Sequence, residues 1–331
     1  MKVAVVAVAA LVTVTTSSLS AQSGQPAPPQ SGVFRSGSAL VALNVTVQDG
    51  GAKYVAGLQP DDFAVYEDGV KQHVRFFEAR AVPLDLIVLI DTSSSMGDKM
   101  ATVHDAASGF LETLRAGDRG AVVGFADSVH VLQPLTSDRA LLAQAVHGIR
   151  AKGSTSLNNA IYVSLKQFAH SARADSDVRR QAIVVLSDGA DTSSLVSFDD
   201  VLGLARKTGV NIYTVALQSR YAPVRAEYGG RKYFSESDYA MKALARETGA
   251  QSFFPAPDQL KGVYGAIATE LANQYSIGYV PANTRADGRF RRVVVQVVTK
   301  PDLRPRTRLG YTAESAVTIT PAQIAGGTAP R

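Results

Sequence analysis

Leu86-Ile87-Val88-Leu89-Ile90 is a run of apolar residues that stops at Asp91 and gives way to the hydroxyl row Thr92-Ser93-Ser94-Ser95. An unbroken run of this kind, bounded by a polar turn, reads as a strand buried on both faces, as in a parallel sheet covered by helices. The turn then falls at the carboxyl edge of that sheet, where open α/β folds gather their ligands. Asp91, Ser93 and Ser95 alternate, so an extended or turning backbone can send all three oxygens to one side.

Hard oxygen donors suit Mg²⁺, Mn²⁺ or Ca²⁺, and Mg²⁺ wants roughly six of them. Further donors are expected at the ends of later elements. Gly153-Ser154-Thr155-Ser156-Leu157 is a small-residue loop that opens a helical pattern and offers the Thr155 hydroxyl. Ala182-Ile183-Val184-Val185-Leu186-Ser187-Asp188-Gly189 repeats the design of the first strand, with Asp188 where the apolar run ends. Two carboxylates and three hydroxyls leave one position for water or for a partner's oxygen.

Asp91-x-Ser93-x-Ser95, then Thr155, then Asp188 resembles the metal-ion-dependent adhesion site of the von Willebrand factor type A family, and the match is complete. The resemblance covers about residues 82–273. It implies a metal held by Asp91, Ser93, Ser95, Thr155 and Asp188, Mg²⁺ foremost with Mn²⁺ or Ca²⁺ as alternatives. It also implies a partner protein whose Asp or Glu enters the metal shell, and a last helix, here 259–271, that can shift when that carboxylate is captured. The flanks are similar, more loosely, to those of bacterial secreted members.

Periodicity divides the chain further. Val41, Leu43, Val45 and Val47 alternate with polar or small residues as a half-buried strand does. Phe63 to Glu67 and Val70 to Phe77 flank Asp68-Gly69, a dipeptide suited to a two-residue hairpin turn. From Pro83 strands and helices alternate. Strands are expected at Leu84–Ile90, Gly120–Phe125, Ser128–Gln133, Gln181–Ser187, Asn211–Ala216 and Gln251–Phe254. Helices are expected at Lys99–Leu114, Ser137–Ile149, Leu157–Ser171, Phe198–Lys207, Tyr239–Glu247 and Gln259–Leu271. This order predicts a doubly wound, mostly parallel six-stranded α/β sheet. The short link Ala126-Asp127 makes one edge strand antiparallel. Three more strands, Tyr275–Tyr279, Phe290–Val298 and Thr307–Tyr311, follow. A three-stranded piece is marginal alone, so the N- and C-terminal pieces are expected to join into one smaller β-rich module with the α/β domain inserted between them. The expected domains are 39–82 and 274–312 for the β module and 83–273 for the α/β domain.

Lys2 followed by the apolar stretch Val3–Val14 and by Ser17-Ser18-Leu19-Ser20-Ala21 has the layout of a secretory signal peptide cleaved near Ala21. The apolar core is shorter than the roughly 20 residues of a spanning helix, so no transmembrane segment is expected after its removal. Residues 22–38 read as a flexible leader and 313–331 as a disordered tail. The expected location is outside the cytoplasm, periplasmic or extracellular. The chain has no cysteine, which excludes disulfides and thiolate metal sites, and its five histidines lack ligand spacing.

The segment 219–234 follows the fifth strand, so its root lies on the same sheet edge as Asp91 and Asp188. Arg220, Arg225, Arg231 and Lys232 against Glu227 give it +3 in a chain of formal charge +5, and Tyr221, Tyr228 and Tyr233 lie among them. Tyr with Arg is enriched where proteins bind proteins, so Arg220, Tyr221, Arg225, Tyr228 and Arg231 are candidate partner contacts; a solvated charged loop is the alternative. Seven further arginines between Arg285 and Arg308 lie on a strand pattern. In an exported chain they do not call for nucleic acid.

No Gly-x-Ser-x-Gly elbow or Gly-rich phosphate loop is present, and Ser93 stands where an aspartyl phosphatase would carry its second carboxylate. A protein-binding module, not an enzyme, is therefore expected. A metal-dependent hydrolase and a metal-independent scaffold are the alternatives.

Overall fold

The Leu86–Ile90 run forms the centre of a strand, β5 (Leu84–Asp91), every residue of which is buried. Before it come β1 (Val41–Gln48), β2 (Phe63–Glu67), β3 (Val70–Gln72) and β4 (Val74–Glu78). The structure is a computed structural model that describes residues 40–79, 82–174, 179–188, 191–217 and 235–313.

After β5 the chain continues through α1 (Met100–Glu112), β6 (Arg119–Phe125), β7 (Val129–Thr136), α2 (Arg139–His147), α3 (Leu157–Ala174), β8 (Arg180–Ser187), α4 (Phe198–Thr208), β9 (Asn211–Ala216), α5 (Glu236–Glu247), β10 (Ser252–Phe253) and α6 (Leu260–Ala272). The six-stranded sheet has the order β10-β9-β8-β5-β6-β7. All neighbours are parallel except β6 and β7. Alternate residues of β5 feed opposite cores, as strand geometry requires. Leu86, Val88 and Ile90 pack with α1, α2 and α6, while Ile87 and Leu89 pack with α3, α4 and α5. The expected doubly wound sheet with one antiparallel edge strand is thus observed.

The flanks build a two-sheet sandwich. Its C-terminal strands are β11 (Tyr275–Tyr279), β12 (Phe290–Val297), β13 (Arg304–Arg306) and β14 (Gly310–Thr312). One sheet runs β13-β1-β11-β4 and the other β14-β12-β2-β3. Leu43, Val45, Val65, Ile277, Val293 and Val295 meet between them in a core separate from those of the α/β sheet. The α/β domain is inserted between β4 and β11, so the chain leaves the sandwich and returns to it.

Two strands differ from expectation. The stretch Val70–Phe77 is not one strand: it breaks at His73, with β3 paired to β2 in one sheet and β4 to β11 in the other. Likewise the expected Thr307–Tyr311 strand is replaced by β13 and β14, which lie in opposite sheets. In both places the chain turns a sandwich corner, which lets the two halves face the same core. Period-2 patterning looks the same whether or not a strand changes sheet. The Asp68-Gly69 turn is as expected, with positive φ at both residues.

Among the described residues the sandwich and the α/β sheet belong to one compact unit. Glu270 of α6, fully buried, joins them. Its Oε1 accepts from the Tyr213 hydroxyl at 2.8 Å and its Oε2 from the Tyr54 hydroxyl at 3.1 Å and from Gln251 Nε2 at 2.5 Å. Arg306 Nη2 of β13 makes an ion pair with Oε1 at 2.7 Å. Burial and the adjacent Glu270 push the Tyr54 hydroxyl up to about 12 and raise that of Tyr213, so both stay protonated donors at ordinary pH. Removing one member of a buried ionic node strands the others. Glu270→Ala is therefore expected to cost about 3 kcal/mol in chemical denaturation, whereas an isosteric Glu270→Gln, which keeps an acceptor, is expected to cost less.

Candidate functional site

At the carboxyl edge of the sheet, β5 and β8 end side by side, with Ile90 opposite Leu186. Asp91 is fully buried. Its Oδ1 accepts the backbone N–H of Ser93 at 2.8 Å, and its Oδ2 accepts the Ser187 hydroxyl at 2.5 Å. The first bond folds the chain back immediately after the strand, which is what a short acidic side chain does in a turn. Burial pushes the Asp91 carboxyl above its usual range; hydrogen bonds from Ser187 and Ser93 oppose the rise, and nearby Asp188 adds to it.

The row continues from there. Ser93 Oγ lies 3.0 Å from Ser95 Oγ, and Ser95 Oγ donates to Asp188 Oδ1 at 2.8 Å. Residues 94–99 form a short 3-10 helix that leads into α1 and lifts Ser95 toward β8. The structure thus brings Asp91, Ser93, Ser95 and Asp188 together as one connected set of oxygens.

Thr155 is held beside them through its loop. Ser94 N–H donates to Gly153 O at 3.0 Å, and Gly153 N–H donates back to Ser94 Oγ at 3.1 Å. Thr155 itself is buried, and its carbonyl accepts the N–H groups of Thr192 and Ser193 at 2.9 and 3.1 Å. Asp191 Oδ2 in turn accepts the N–H of Asn158 in the first turn of α3, so one acidic side chain ties the 191–197 loop to a helix start. The three loops that carry the sequence-identified residues are therefore hydrogen-bonded to one another.

Two groups at this site escaped sequence reasoning. Ser187 reads as the last residue of a strand, yet its hydroxyl fixes Asp91. Lys99 reads as an ordinary helix-start residue, yet its ammonium is buried against Asp188 Oδ2 and donates to Ser95 O at 2.8 Å. A lysine four residues after the last serine of the Asp-x-Ser-x-Ser run was the available signal. The candidate contacts Arg220, Tyr221, Arg225, Tyr228 and Arg231 lie outside the described residues. Of the histidines, the structure brings His104 of α1 and His147 of α2 together, ring centroids 5.6 Å apart.

The donor set fits a hard divalent cation. All its members are carboxylate or hydroxyl oxygens, without imidazole or sulfur, and such donors suit Mg²⁺, Mn²⁺ or Ca²⁺.

Comparison with known proteins gives the class. The von Willebrand factor type A domain matches residues 85–259, more than half of the chain, and the protein belongs to that family, which mediates protein–protein interaction or adhesion. The UPF0353 protein of Mycolicibacterium paratuberculosis is 28% identical over 200 residues, covering 56% of this chain and 60% of its own. Inter-alpha-trypsin inhibitor heavy chain H6 of Homo sapiens is 26% identical over 239 residues, covering 66% of this chain and 17% of its own. Among solved structures, a von Willebrand factor type A protein from Catenulispora acidiphila aligns with a TM-score of 0.49 at 15% identity, over 85% of this chain and 65% of that one. The matched part spans less than two thirds of each of these proteins. Among the described residues no helix is long and apolar enough to cross a membrane.

Gly153 has φ of +93°, and an added Cβ would meet Asp127 Oδ2 at 2.4 Å. Gly153→Ala is expected to lower stability by about 1–3 kcal/mol in urea titration, since it strains the loop that carries Thr155. Gly262→Ala, within α6 with nothing near its Cβ position, should instead be neutral or stabilising by up to about 1 kcal/mol.

Proposed function

We propose that this protein is an exported module that binds another protein in a metal-dependent way, through Asp91, Ser93, Ser95, Thr155 and Asp188. One observation carries the proposal: Asp91, Ser93, Ser95 and Asp188, from two separate strand ends, are hydrogen-bonded into one oxygen cluster at the sheet edge, and the loop that carries Thr155 is tied to Ser94 beside them. Folding alone does not ask for a buried carboxylate facing a second one across two serines. A divalent cation, Mg²⁺ first, would supply a Lewis-acidic point to which a partner's Asp or Glu adds as a charge-assisted ligand.

The chain's own residues do the rest. Ser187 and the Ser93 N–H hold Asp91 in place, and Gly153 ties the Thr155 loop to Ser94. A binding role is favoured over a hydrolytic one because both carboxylates are committed to holding the cluster together, and among the described residues the site offers no free general base. Export rests on the N-terminal segment, which has the layout of a secretory signal.

Isothermal titration with Mg²⁺, Mn²⁺ and Ca²⁺ tests the proposal. Saturable one-site binding that disappears in a folded Asp188→Ala variant is expected. No binding by the wild type at millimolar ion would shift the account to a metal-independent scaffold. Should an acidic partner be in hand, neutralising Arg220, Arg225 and Arg231 together is expected to slow association on the order of tenfold at low salt and to flatten its salt dependence; unchanged rates would mark that loop as merely solvated.

A further inference from the structure

Lys99 is the last residue of the 3-10 turn and the one before α1. Lysine is among the side chains least often buried, yet this one is 3% exposed and its partner Asp188 1%. Its Nζ pairs with Asp188 Oδ2 and donates to Ser95 O at 2.8 Å, while exposed Asp98 stands off at 3.9 Å. Asp188 is thereby divided: Oδ1 faces the serine row through Ser95, and Oδ2 faces an ammonium.

Burying an ammonium is costly unless it is paired, and α1 does not need one at its start. Its apolar residues Met100, Val103, Ala107 and Phe110 already seat it on the sheet. The arrangement makes sense as a feature of the site. Asp91 and Asp188 bring two negative charges, and Lys99 returns one positive charge to the same cluster.

Resting on the metal-site reading above, we propose that Lys99 is a built-in counter-cation that leaves the site one negative charge short of neutralising a divalent ion, so that metal and an acidic partner are captured together. Without Lys99, two carboxylates would balance the ion and hold it with little need of a third. With it, the loaded cluster keeps a net positive charge, which an incoming carboxylate neutralises. By linkage, each ligand then tightens the other by the same factor. Lys99 is a positioning and charge-setting residue, and Asp188 is the group it acts through.

The experiment is Mn²⁺ binding to the full chain, followed by electron paramagnetic resonance of free Mn²⁺, with and without sodium acetate as the carboxylate probe at constant ionic strength. Wild type, Lys99→Met, Lys99→Arg and Asp91→Ala are compared after each is shown folded by circular dichroism. Lys99→Met keeps the apolar stem and loses the charge, and is expected to bind Mn²⁺ at least tenfold tighter without acetate. Acetate is expected to tighten Mn²⁺ binding severalfold in wild type and Lys99→Arg and much less in Lys99→Met. Should Lys99→Met fail to fold, Lys99→Gln gives the same reading, and the wild-type acetate response is tested without any variant.

Two outcomes overturn the proposal in different ways. If wild type binds Mn²⁺, Asp91→Ala does not, and Lys99→Met binds no tighter than wild type, the counter-cation role is wrong while the metal site stands. If neither wild type nor the Lys99 variants bind Mn²⁺ at all, the metal-site reading falls and this inference with it.

Discussion

Parallel pairing of β5 with β8 sets Ile90 opposite Leu186, so the two strands run out at the same edge and the residues after them meet there. Asp91 receives the Ser187 hydroxyl, and Asp188 receives that of Ser95. Burial holds the register, because both strands are apolar on both faces and a slip of one residue would exchange the sets that face α1 and α3. The hydrophobic effect thus places the polar chemistry, although it contributes nothing to that chemistry directly.

The same logic ties the site domain to the sandwich. α6 packs on the same face as α1, with Phe110 and Tyr264 stacked at 4.8 Å, and then delivers Glu270 to donors that include Tyr54 and Arg306 of the sandwich. Five residues after Glu270 the chain enters β11. At the far side Gly249, with φ of +77°, lets the backbone at Thr307 and Arg308 approach to where a Cβ would stand. The two parts therefore share buried polar contacts as well as two chain crossings, and a displacement of α6 would have to be accommodated by both.

Much of this was legible in the residues. Continuous apolar runs ending in Asp91 and Asp188 disclosed buried strands and the edge on which the oxygens collect, because strand period and burial are properties of the local sequence. The inserted arrangement followed from two β pieces each too small to stand alone. What stayed hidden depends on long-range geometry. The break at His73, the split of 304–312 between two sheets and the role of Glu270 are invisible to periodicity, since a residue's pattern does not say which sheet or partner it meets. Lys99 was missed for a related reason: its burial depends on a 3-10 turn that aims it back at Asp188, 89 positions further along the chain.

If Asp91, Ser93, Ser95, Thr155 and Asp188 hold a divalent cation as proposed, the ion must sit among their oxygens at the sheet edge. Anomalous diffraction from crystals soaked in Mn²⁺ addresses it directly. A single strong peak bounded by those oxygens is expected, with Lys99 still paired to Asp188. A saturated soak with no peak there, or with Mn²⁺ only elsewhere on the molecule, would contradict it.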